Sequence, residues 1–235
     1  MDIIFSFIYC SIYINYIKTF LNDLGIEMYK KVENINADEL PFKDFLTSRY
    51  SMTVRVDADK TYLKAKEENI SFFNLTLACM LKAINEIPEF KYRIIDGEVV
   101  EYDYITAVTP IMQEDHSIRE IEVEPSSEFE DIFEWNSYLE NKKVNIEDNQ
   151  YLVEPEMRDI EGIANFSCVP WIDFDSMTNI IASPNQLMPA ISWGKLFDGK
   201  ISISLTASHI FIFGWHFKLF YEKVEYYLSN PDILF

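Results

Sequence analysis

Apolar and polar positions alternate in YSMTVRVD (residues 50 to 57), where Tyr50, Met52, Val54 and Val56 share one face, the period-two pattern of a half-buried strand. Residues 57 to 69 are rich in charge and predict a helix or turn. From Ser71 the run SFFNLTLACMLKAINEI is apolar on most faces and stops at Pro88, which predicts a buried helix with Ser71 as its N-cap. KYRIIDGEVVEYD then predicts a hairpin about Asp96 and Gly97, a dipeptide suited to the positive φ angles of a tight turn.

ITAVTPIMQ and SIREIEVE predict two further strands. Pro125 and Ser126 are expected to open an amphipathic helix reaching about Asn141, with Phe129, Ile132, Phe133, Tyr138 and Leu139 as its apolar stripe. IANFSCVPW, MPAISWGKLF and KISISLTAS return to strands, the last two joined by a turn at Asp198 and Gly199, and a helix from about Trp215 to Leu228 follows. This irregular mixture argues for an α+β sandwich over a regularly alternating βαβ fold.

The first twenty residues are rich in Ile, Phe and Tyr, but they begin with Asp2, lack a basic start and are broken by Ser6, Ser11, Asn15 and Lys18. They make a poor signal peptide and a poor membrane span. Three readings remain for residues 1–27: an extra helix on the domain, a weak surface anchor, or the product of an upstream start codon. The last is preferred, because MYKKVENINADELPF from Met28 reads as the opening of a cytosolic domain. The expectation is therefore one cytoplasmic domain over residues 28–235, since the chain holds 49% apolar residues, only six glycines, and neither a linker nor a repeat.

Twenty Lys and Arg against 39 Asp and Glu leave a formal net charge of −19, which repels a phosphate backbone and excludes nucleic acid as an expected partner. The same field opposes any phosphorylated cofactor at long range, so local contacts would have to hold it. Cys10, Cys79 and Cys168 are odd in number and widely spaced, without a CxxC or a neighbouring histidine, so neither a disulfide framework nor a metal site is expected. Cys79 reads as buried filler in an apolar run.

Only His116, His209 and His216 can titrate near neutrality. His116, among acids in QEDHS, reads as a solvated loop residue, and His216 as structural in the first turn of a helix. His209 follows the alternating strand KISISLTAS, where a scaffold can present it to a cleft, although a histidine satisfied in the core is the ordinary alternative. Ser167, in an apolar strand, is by itself most simply a small residue bonded to the backbone. No dinucleotide-binding or phosphate-cradling glycine loop occurs, nor a GxSxG elbow.

FSCVPWIDFDSM (166 to 177), MPAISWGK (188 to 195) and SHIFIFGWH (208 to 216), supported by SFFNLTLACMLKAINEIPEFKYRIIDGEVV and PFKDF in the same order, resemble the chloramphenicol acetyltransferase family over residues 38 to 230. The resemblance implies a two-layer α+β sandwich with a mixed β-sheet, assembled as a homotrimer with active sites at subunit interfaces. It implies acetyl-CoA as co-substrate and a small hydroxylated acceptor. The family motif HHxxxDG places its second histidine on His209, a general base for direct attack of the acceptor hydroxyl on the thioester. The serine of its SxxPW segment falls on Ser167, a donor to the oxyanion. Trp171 and Ser192 match positions on the cofactor side, Ser192 as a hydroxyl that holds a water, and Tyr50 matches a wall of the acceptor pocket.

The departures bear on activity. The motif's first histidine is Ser208 and its aspartate is Phe213; the arginine that pairs with this aspartate in the family is also missing, since none precedes Arg49. Losing both partners avoids an orphaned buried charge, which costs about 3–5 kcal/mol. Packing of Phe213 could replace the ion pair. The expected function is an O-acetyltransferase with chloramphenicol among its candidate acceptors. The alternative is a catalytically impaired relative that binds or senses a small molecule. A third option, Cys168 as nucleophile, is weakened because it directly follows Ser167 on a strand and should point to the opposite face.

Overall fold

The structure, a computed structural model, describes residues 28–146, 161–180 and 183–234; the leader 1–27, with Cys10, lies outside the described residues. Among the described residues nine strands form two sheets. In the smaller, β1 (Tyr29–Lys31), β3 (Tyr92–Ile95) and β4 (Glu98–Tyr102) are ordered β1-β4-β3. The larger runs β2-β9-β8-β7-β5-β6, built from β2 (Arg49–Asp57), β5 (Thr106–Met112), β6 (Ile118–Val123), β7 (Ile163–Cys168), β8 (Ala190–Trp193) and β9 (Lys200–Ser208). It is mixed: β5, β7 and β8 run parallel and the other pairs antiparallel.

Both tight hairpins take the expected form. Asp96 and Gly97 have φ of 51° and 80°, and Asp198 and Gly199 49° and 73°, the paired positive angles whose twist matches the flanking strands.

The described residues also form four α-helices: α1 (Asp59–Glu67), α2 (Phe72–Asn85), α3 (Ile132–Val144) and α4 (Gly214–Ser229). α2 begins as expected, with the Ser71 side chain accepting the Asn74 N–H, and Leu75, Leu77, Ala78, Cys79, Met80 and Leu81 are at most 1% exposed. With Phe217 and Phe220 of α4 they cover one face of the large sheet, each large side chain contributing about 1.5–3 kcal/mol of burial.

α3 departs from expectation. Ser126–Glu128 forms only a separate 3-10 turn, and the helix starts later because Asp131 accepts the N–H groups of Phe133 and Glu134 at 2.8 Å, whereas the Ser126 hydroxyl donates to the Leu234 carbonyl at 3.1 Å. The later start shifts the buried stripe to Trp135 and Leu139, and Phe133 turns outward. β2 also differs: it is an edge strand, so Met52 and Val54 are half-exposed and only Val56 of the apolar row is buried.

In β9, Ile201, Ile203, Leu205 and Ala207 face the helices while Ser202, Ser204, Thr206 and Ser208 face the other way, yet all eight are buried. The loop after β7 covers the hydroxyl face. Arg55 of β2 reaches Asp173 and Asp175 at 3.2 and 3.1 Å, Ser204 donates to the Met177 carbonyl at 2.6 Å, and Arg49 donates to the Gln186 and Met188 carbonyls at 2.7 and 2.6 Å. The loop thus lies down because polar side chains on the sheet supply the partners its irregular backbone needs.

Candidate active site

The hydroxyl face carries Ser167. Cross-strand register aligns Ser167 of β7 with Ser192 of β8, Ser192 with Ser204 of β9, and Ser204 with Thr53 of β2, so four hydroxyl residues share one row. Directly paired residues point the same way, which places Ser167 and Ser192 side by side about 5 Å apart. Ser167 is half-buried, whereas Ser192 is fully buried and gives its hydroxyl hydrogen to Asn179 Oδ1.

Past the end of β7 the chain turns at Pro170 and Trp171, closed by Ile172 N–H to the Val169 carbonyl at 3.2 Å, with proline at the position it favours. Trp171 and Ile172 consequently stand out from the surface, 63% and 55% exposed. Cys168 points the other way and packs on the helix-side core, where burial pushes its thiol up to about 12. It is protonated at neutral pH and separated from the Ser167 face by the sheet, which sets the nucleophile option aside.

His209 continues the odd-numbered positions of β9 toward the helix side. Its backbone N–H donates to the Ser48 carbonyl at 2.8 Å. The imidazole is clamped between Phe42 and Tyr50, with ring centroids at 4.3 and 4.6 Å in stacked geometry. Phe213 meets it edge-on at 4.9 Å. Nδ1 is buried and meets no hydrogen-bond partner among the described residues.

The clamp has its own support. Tyr50 spends its hydroxyl on the Ile212 carbonyl at 2.9 Å, and burial pushes that hydroxyl up to about 12, so the side chain offers a ring face and not an acid. Asn185 accepts the Ser48 N–H at 2.8 Å and donates to the Lys43 carbonyl at 3.1 Å, while the Ser48 and Ser208 hydroxyls bond at 2.8 Å. Phe42 sits at φ 61°, a left-handed angle rare for an aromatic residue. Holding it there costs on the order of 1–2 kcal/mol, which the stacking on His209 helps to offset. His216 accepts the Phe213 N–H on Nδ1 at 2.9 Å, fixing Phe213 at the start of α4. His216 therefore does sit in the first turn, and His116 is exposed in a loop.

Within one chain the structure does not bring His209 and Ser167 together. His209 lies five positions beyond Ser204, roughly 16 Å along the strand, and β7 is two strands away, roughly 10 Å. The two residues also face opposite sides of the sheet. Sequence reasoning missed Phe42, Ser48, Asn179 and Asn185. Phe42 lay in a segment already singled out, PFKDF, but nothing in its type announced a left-handed backbone, and no pattern in the sequence drew attention to the two asparagines.

Comparison with known proteins bears on this arrangement. The family model for chloramphenicol acetyltransferase matches residues 8–225. A chloramphenicol acetyltransferase of Bacillus pumilus is 21% identical over 214 residues, covering 87% of this chain and 96% of that protein. A solved chloramphenicol acetyltransferase structure superposes with a TM-score of 0.76 at 30% identity, over 86% of this chain and 100% of the other. A probable dihydrolipoamide acetyltransferase from Listeria monocytogenes shares the fold, with a TM-score of 0.59 at 15% identity, over 87% of this chain and 96% of the other. The chain belongs to the chloramphenicol acetyltransferase family.

Proposed function

We propose that the protein is an acetyl-CoA-dependent O-acetyltransferase acting on a small hydroxylated acceptor, chloramphenicol among the candidates, and that it works as a cytoplasmic homotrimer. The observation that carries this reading is the clamp on His209: three aromatic rings fix an imidazole that remains partly open to solvent at a strand end. Such a ring is oriented before a substrate arrives, which is what a general base requires.

His209 takes the proton from the acceptor hydroxyl as its oxygen attacks the thioester carbonyl. Ser167 donates to the oxyanion that develops there. On collapse, His209 returns the proton to the departing thiolate, so no acyl group is ever attached to the protein. Ser192, fully buried, reaches the reacting atoms through a water, and the exposed Trp171 offers a flat apolar face to the cofactor beside it. Tyr50 contributes its ring to the acceptor wall.

Because Ser167 and His209 are far apart in one chain, the reading requires that each site combine His209 of one subunit with Ser167 of the next. A base acting through Nε2 carries its own hydrogen on Nδ1, the nitrogen that is buried and meets no hydrogen-bond partner among the described residues. Phe213, standing where the family motif has aspartate, supports His209 by edge-on packing in place of an ion pair.

Phe213 also favours a second reading, in which the cleft binds a small molecule without turnover. Thiol release from acetyl-CoA with a panel of hydroxylated acceptors, chloramphenicol included, separates the two. Acceptor-dependent release supports the enzyme; binding without release under all acceptors supports the second.

A further inference from the structure

We infer that Asn179 is a positioning residue that fixes the Ser192 hydroxyl as an acceptor toward the reacting centre; the inference rests on the acetyltransferase reading of this site. Asn179 is only 9% exposed and sits in the loop laid across the hydroxyl face of the sheet. Its Nδ2 donates to the Ala190 carbonyl at 3.1 Å and to Thr206 Oγ1 at 2.9 Å, and Thr206 Oγ1 in turn bonds Ser51 Oγ at 2.7 Å.

The Ala190 carbonyl decides the direction of every other bond in the set. A carbonyl can only accept, so the amide atom facing it must be the nitrogen. The remaining atom, Oδ1, then faces Ser192, and the only hydrogen available for that contact is the one on Ser192 Oγ. The serine hydrogen is thereby committed away from its neighbour Ser167. What Ser192 presents to that neighbour is lone pairs, which no donor among the described residues fills.

A hydroxyl held in this way binds a water in one orientation: the water gives one hydrogen to Ser192 Oγ and keeps the other for an oxyanion beside Ser167. If Ser192 were free to rotate, it could donate to that water instead, and the water would turn a lone pair toward the developing negative charge. Asn179 therefore acts on the reaction through the polarity of Ser192, without touching substrate. The fastened network from Ser51 through Thr206 and Asn179 to Ser192 also spans three strands, so the hydroxyl is held by the sheet and not only by a loop.

The test is a double-mutant cycle read in kcat and KM, using the full chain, acetyl-CoA and the acceptor that gives the fastest thiol release. Asn179→Ala should lower kcat on the order of 10-fold, less than the 10²–10³-fold of a direct oxyanion donor, with KM for acetyl-CoA nearly unchanged. In a Ser192→Ala background the same change should cost almost nothing more in kcat. Equal kcat losses in both backgrounds would overturn the inference, because a merely structural role is additive. Asn179→Leu serves as the second variant where Asn179→Ala fails to fold, since it nearly keeps the volume, adds no buried charge and leaves Ser192 without its acceptor; it should show the same loss of kcat, with almost none further in the Ser192→Ala background, and equal losses in both backgrounds would again overturn the inference. A high-resolution crystal structure of the wild type supplies a readout that needs no activity: an ordered water within hydrogen-bond reach of Ser192 Oγ is expected there, and a dry Ser192 would overturn the inference. If the wild type releases no thiol with any acceptor, the acetyltransferase reading fails, while a crystal structure of Asn179→Ala beside the wild type still decides the inference: loss of that ordered water supports it and its unchanged retention overturns it.

Discussion

Ser167 and His209 lie on opposite faces of one sheet, two strands and about five residues of strand apart, at a separation no side-chain rotation can close. Assembly is the way to join them. The protein at micromolar concentration should scatter light as a trimer, and a monomer would contradict the proposed site.

Substitutions at Phe42 divide strain from positioning. Phe42→Gly removes the stacked ring but accepts φ 61° without penalty, so stability should change by less than about 1 kcal/mol while kcat falls. Phe42→Ala loses the ring and keeps the strain, and should melt below Phe42→Gly. Equal melting temperatures for the two variants would show that the backbone angle is not strained.

Tyr50→Phe tests whether that hydroxyl is structural. It removes the donor to the Ile212 carbonyl and should cost about 1–2 kcal/mol in denaturant unfolding. Turnover should stay within about twofold of wild type, since the hydroxyl points at backbone and only the ring meets His209. A large loss of kcat with unchanged stability would assign Tyr50 a chemical role.

The thiols make stability sensitive to alkali. Burial raises both Cys79 and Cys168, the latter to about 12, so the fold keeps them protonated while the unfolded chain ionises near the ordinary thiol value. The unfolded state therefore sheds protons first. This contribution is complete at neutral pH and is lost as pH rises from about 8.5 toward 12. Thermal melts at pH 7 and pH 10 should show a fall, and Cys168→Ala should shrink it while leaving turnover at pH 7 unchanged; an unshrunk fall would mean that Cys168 is not the group responsible.

Much of the fold was legible because the chain states it locally. Ser71 caps α2, the Asp-Gly pairs make the two tight turns, and the alternation in β9 sorts its residues between faces. The start of α3 was misread because two capping candidates compete within six residues, and only three-dimensional packing selects Asp131 over Ser126. In the candidate site, His209, Ser167, Trp171 and Ser192 came from matched segments, and Tyr50 from a single matched position outside them. The residues that hold them did not, because Asn179, Asn185 and Ser48 act through contacts over 11 to 160 positions of sequence. No periodicity records such contacts. The left-handed Phe42 likewise follows from the ring it must reach and not from its own preference.

Mixing two inactive proteins shows whether each site is shared between subunits. His209→Ala should lose ~10²–10⁴-fold in thiol release and Ser167→Ala roughly 10²–10³-fold, each with its fold intact. Denatured together in equal amounts and refolded, they form mixed trimers in which about a quarter of the interfaces pair an intact His209 with an intact Ser167. The mixture should regain acceptor-dependent thiol release approaching a quarter of the wild-type rate. A mixture no more active than its two components, although gel filtration and mass spectrometry show mixed trimers, would mean that His209 and Ser167 of neighbouring subunits do not form one site.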